Sequence, residues 1–60
     1  MTTYRVPFEL KLEGNNVAMK EIEVVAHTAN DAEVKAEQIL VNHFGYKARI
    51  IGLARSAPGA

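Results

Sequence analysis

From Tyr4 to Glu13 apolar and polar residues alternate without interruption. Tyr4, Val6, Phe8, Leu10 and Leu12 fall on one side, and Arg5, Pro7, Glu9, Lys11 and Glu13 on the other. A period of two sustained over this length predicts a strand with one buried face. Pro7 is the discordant position, because it has no N–H to give to a ladder. It belongs on an edge, near a strand end or at a bulge. Gly14, Asn15 and Asn16 supply a turn. Val17 to His27 reads as a second strand whose phase changes partway. Ile22, Val24 and Ala26 share one side, whereas Val17 and Met19 lie on the other. Either a bulge near Lys20 and Glu21 reconciles them, or Met19 is exposed.

The period then becomes helical. From Asn30 to Phe44, with Ala29 just ahead, the residues Ala29, Ala32, Ala36, Ile39, Leu40 and His43 recur on one face. No Pro or Gly interrupts this run, and Ala, Glu, Lys, Gln and Leu favour a helix. Asn30 is a fit N-cap with Glu33 completing a capping box; Thr28 with Asp31 is a competing cap two residues earlier. Asp31 and Glu33 put negative charge at the positive end of the helix dipole. Gly45 closes the helix in the left-handed conformation. The small Ala32 and Ala36 let the helix lie close to a sheet. Val34 and Val41, one heptad apart, point almost the opposite way and have no evident use in a lone domain.

Tyr46 to Arg55 predicts a third strand. One side carries Tyr46, Ala48, Ile50, Gly52 and Ala54; the other carries Lys47, Arg49, Ile51, Leu53 and Arg55. Apolar residues on both sides are unusual for a strand covered on one face only. The element order gives an α+β fold, β-β-α-β, with a three-stranded sheet and one helix packed on one face. Residues 1–60 form a single domain, with 1–3 and 56–60 as loose termini. The second and third strands run parallel through a right-handed helical crossover. The first strand lies either between them or at the edge beyond the second; Pro7 favours the edge.

At 60 residues, a chain buries only about 60% of its unfolded surface. It has no Cys, so no disulfide or thiolate metal site assists. Packing must be efficient, or a partner or second copy must supply burial. The 48% hydrophobic content argues against disorder. A net charge of zero removes the simplest electrostatic case for nucleic acid or an anionic membrane. No apolar run reaches membrane-spanning length and the polar start is no signal peptide, so the expected location is the cytoplasm.

Catalytic ingredients are thin, and an enzyme is not expected. Ser56, the one Ser, has no base near it in sequence. His27 and His43 lack zinc-type spacing, and His43 on the apolar helix face reads as a packed histidine. Glu9, Glu21 and Glu23 read as solvated strand charges rather than a catalytic pair. No cofactor, metal or phosphate-loop pattern is present. The charge distribution says more. Residues 1–45 hold four Lys and Arg against seven Asp and Glu, whereas 46–60 hold three cations and no acid. Lys47, Arg49 and Arg55 share one side of the third strand. They either pair with Glu on neighbouring strands or meet an acidic partner. Tyr46 has the other phase, which argues against stacking recognition of nucleic acid.

Between Glu23 and Ile50 the chain reads V-V-A-H-T-A-N-D-A-E, then A-E-Q-I-L and G-Y-K-A-R-I. This resembles the small RNA polymerase inhibitors made by podoviruses that infect enteric bacteria, over about half the chain. The resemblance implies a short strand-strand-helix-strand domain that binds host polymerase without catalysis, in the host cytoplasm. It also implies contact through arginines on the last strand. Arg49 and Arg55 are the nearest matches; where that family has a closely spaced pair, this chain has Ile50 and Gly52. The expected contact surface is Lys47, Arg49, Ile51, Leu53 and Arg55 with Arg5 of the first strand. The expected partner is another protein, bacterial RNA polymerase being one, or a second copy of the chain. The alternatives are a homodimeric module joined through Val34 and Val41 or Ile51 and Leu53, and a nucleic-acid-binding module using the basic strand. No membrane partner is expected.

Overall fold

A computed structural model describes residues 1–56; the predicted loose end at 57–60 lies outside the described residues. The order is β1 (Thr2–Lys11), β2 (Val17–Ala26), α1 (Ala29–Phe44), a 3-10 turn (Gly45–Lys47), β3 (Ala48–Ile50) and β4 (Arg55–Ser56). The architecture is the α+β arrangement β-β-α-β with one correction: the third strand is split in two, so among the described residues the sheet has four strands. Both β2 and β3 are antiparallel to β1 and lie on opposite sides of it. They are therefore parallel to each other with β1 between them. Thr2 and Thr3 do not fray but pair with Ala26 and Val25, and Ser56 pairs with Tyr4.

Pro7 thus sits in the central strand rather than at an edge, and hydrogen-bond phase shows how this is tolerated. One pair beyond the β1–β2 ladder, the Leu12 N–H donates to the Asn16 carbonyl at 2.9 Å. Even-numbered residues therefore bond across β1 and β2, and odd-numbered residues of β1 turn their backbone toward β3 and β4. Pro7 lacks its N–H on that second side. It still accepts there, from the Ile51 N–H at 3.1 Å. Past Ile51 the strand departs. Between the pairs Phe8–Ile50 and Arg5–Arg55, β1 has two residues and the facing chain four. The bulge opens where the donor is missing. Gly52 passes over the proline ring: a Cβ there would stand 2.8 Å from Pro7 Cγ.

The β1–β2 register is unbroken from Thr2–Ala26 to Lys11–Val17, so no bulge occurs at Lys20 and Glu21. Met19 is 70% exposed, with Val17 and Val25 on the same open face. The helix starts from Thr28, whose Oγ1 accepts from the Asp31 N–H at 3.1 Å; Asn30 is inside the helix and is not the cap. Gly45 closes it at φ 62°, its N–H on the Val41 carbonyl, where a side chain would be strained.

The buried face of α1 is Ala32, Ala36 and Leu40; the two alanines form one core cluster with Val6 of β1, Val24 and Ala26 of β2, and Ala54, and Phe8 is also buried. Ile39 at the margin of this stripe is exposed. His43 has the right phase but lies in the last turn, beyond Leu40, and is exposed rather than packed. Its ring stands 6.2 Å from Phe44, whose own ring stacks at 6.4 Å on Phe8. Among the described residues four of the eight buried hydrophobic residues are alanine, and Val6 is the one large side chain fully enclosed. This core is thin for a chain without cross-links. Among the described residues no helix is long and apolar enough to cross a membrane.

Candidate partner-binding surface

The open face of the sheet, away from α1, carries the odd-numbered residues of β1 and β2. Strand pairing places them in rows. Arg5 lies between Glu23 and Arg55, and Glu9 lies between Met19 and Arg49. Arg5 Nε is 3.4 Å from Glu23 Oε1, and Arg49 Nη2 donates to Glu9 Oε2 at 3.1 Å. The Arg5–Glu23 pair is open to water and contributes about 0–1 kcal/mol; in the other, Arg49 is exposed while Glu9 is partly covered. The two pairs hold Glu9 and Glu23 against the cations, and Glu21 stands opposite Pro7.

The predicted basic stripe is therefore redistributed. Lys47 leaves the strand for the 3-10 turn, and Arg49 carries an ion pair within the fold. Arg55 faces Arg5, a like-charge pair that opposes pairing locally, and among the described residues it forms no salt bridge. Ile51 is about half-exposed and Leu53 is 76% exposed, both in the bulge rather than on a continuous strand face. The six expected contact residues consequently fall into two groups. Arg5, Arg55, Ile51 and Leu53 surround the bulge. Lys47 and Arg49 stand at the far end.

At that far end the structure adds two residues which sequence reasoning missed. Lys11 and Tyr46 line one shallow cavity with Glu9, Lys47 and Arg49. Tyr46 is fully exposed. Strand alternation would separate it from the cations, but residues 45–47 form a 3-10 turn, which brings it beside them. Lys11 was legible only given the register: continuing the Glu9–Arg49 pairing by two residues sets it toward Lys47. On the helix side of β3, a groove of about 440 Å³ runs between α1 and the strand. Leu40, Val41, Ala48 and Ile50 line it, together with Glu37 and Arg49.

The two flanks meet at an open strand edge. Arg49 and Ile51 belong to the pairs that bond β1, so Ala48 and Ile50 turn their N–H and C=O away from it. No strand among the described residues pairs on that side. The opposite edge, on β2, is long and unbulged but differently furnished. Glu21 and Glu23 lie along it, and Lys35 reaches from α1 to donate to the Val25 carbonyl at 3.0 Å.

Ser56, His27 and His43 are all exposed. Among the described residues no group of three His, Cys, Asp or Glu is placed to hold a metal ion. Comparison with protein-family models, with curated proteins and with solved structures yields no match.

Proposed function

We propose that the chain is a small non-enzymatic protein-binding module that meets its partner through the β3 side of the sheet. The observation that carries this reading is the grouping of Tyr46, Lys47, Arg49 and Lys11 at one sheet end, directly beside an apolar groove. An exposed aromatic and an arginine next to an apolar recess are the residue types that dominate protein interfaces. Bacterial RNA polymerase is the partner that the sequence resemblance implies, and inhibition is the outcome it implies. The test is a titration of labelled protein with purified bacterial RNA polymerase, repeated with the double variant Lys11→Glu, Lys47→Glu. The proposal expects saturable binding, an on-rate that falls as salt rises, and roughly ten-fold or greater weakening in the variant. No binding to polymerase removes that target. Undiminished binding by a folded variant removes the surface.

A second reading has one observation in its favour: Tyr46 stands among three cations, the combination by which single strands are held. Glu9 within the cluster and the zero net charge of the chain weigh against it. Titration with mixed-sequence single-stranded oligonucleotide decides: binding abolished by Tyr46→Ala favours nucleic acid over protein.

A further inference from the structure

We infer that the outer edge of β3 accepts a segment of the partner as an added β-strand, and that this segment alternates apolar with acidic residues. The inference rests on the protein-binding reading and names the kind of partner segment. Its first support is backbone geometry. Ile50 presents its N–H and C=O outward and Ala48 its C=O, and no strand among the described residues receives them. An extended peptide laid along such an edge satisfies its own backbone and the edge together.

The second support is that the two flanks of this edge differ in chemistry. Side chains of an added strand project alternately to the two sides of the sheet. On the helix side they enter the groove lined by Leu40, Val41 and Ile50. On the open side they meet Lys47, Arg49 and, behind them, Lys11. The Arg49 side chain is 77% exposed although it already bonds Glu9, so its remaining donors are free for a second carboxylate. Apolar residues in one phase and acidic residues in the other match this edge.

The remaining edges and a second copy fit less well. The β2 edge has its Val25 carbonyl taken by Lys35 and carries Glu21 and Glu23, which would repel acidic residues. The bulge at Ile51–Ala54 interrupts the edge beyond β3 and limits the added strand to a short one. Pairing β3 with a second β3 would bring Lys47 and Arg49 against the same cations, an arrangement disfavoured by like charge.

The test uses short labelled peptides and fluorescence anisotropy with the full-length protein. One peptide alternates leucine with glutamate. A second has the same composition in two blocks, and a third replaces glutamate with lysine. Two more carry N-methyl groups on alternate residues, in opposite phases. The inference expects the alternating peptide to bind, and the block and lysine peptides to bind roughly ten-fold or more weakly. N-methylation in one phase should abolish binding, and in the other should leave it intact, because only alternate amides of an added strand face β3. Equal effects of the two methylation phases overturn strand addition. So does failure of the alternating peptide while polymerase is still bound, and in that case protein binding stands. Failure with both peptide and polymerase overturns the two together.

Discussion

Pro7 has no N–H, and the side on which it is missing faces the strand that bulges away. The physical link is Gly52, whose Cα approaches the proline ring so closely that a Cβ would meet Pro7 Cγ at 2.8 Å. That ring is not the far end of a flexible side chain, so the contact cannot yield cheaply. Gly52→Ala should cost roughly 1–3 kcal/mol, the usual range for overpacking. In a Pro7→Ala background the same change should cost clearly less, and urea unfolding of the four proteins of the cycle measures this coupling. Additive costs would separate the two residues. The cap offers a second residue-scale expectation. Thr28→Ala should destabilise by about 0.5–2 kcal/mol, because Thr28 Oγ1 holds the Asp31 N–H. Asn30→Ala should be near neutral by the same measurement, since Asn30 lies inside the helix and exposed.

For the helix, the expectation is a contrast between neighbours. Leu40 is buried and Val41 is about half-exposed. Leu40→Ala should therefore cost roughly 2–5 kcal/mol, and Val41→Ala only a small fraction of that. Thermal unfolding of both variants at low concentration checks the phase; equal losses would place Val41 in an interface. The elements with strong local patterning were legible. β1 announces itself by uninterrupted alternation, and α1 by its alanine stripe and the glycine that ends it. The third strand was not, because its break depends on Pro7, remote in sequence and adjacent only once β1 is central. Tyr46 was misassigned for a related reason: a three-residue 3-10 turn leaves little periodic signal, so strand alternation was carried through it. His43 shows the limit of a helical wheel, which gives direction but not where the sheet beneath comes to an end. Of the cations grouped at the β3 end, Arg49 was legible as a strand residue and Lys47 only as a cation near it, since it lies in the 3-10 turn, whereas Lys11 required the register.

The whole molecule combines a thin core with much apolar surface. Among the described residues half of the buried hydrophobic ones are alanine, while Met19, Leu53 and Tyr46 are largely or fully exposed. A chain of this size gains little stability from such a core alone, so partner binding should raise its melting temperature by mass action. Sedimentation over a wide concentration range should show whether Val34 and Val41 also join copies; Val41 also lines the β3 groove, so the variant that separates the two surfaces is Val34→Glu alone, which the β3 account expects to leave partner binding unchanged. Loss of that binding would shift the interface to the outer face of the helix. Everything proposed for the β3 edge depends on its backbone being open while its inner side is bonded to β1. Amide hydrogen exchange by NMR on the dilute free protein reads this residue by residue. The account predicts slow exchange at Arg49 and Ile51, which bond β1, and fast exchange at Ile50 between them. Protection at Ile50 equal to that at Arg49, persisting on dilution, would mean that the edge is already closed and would contradict the account.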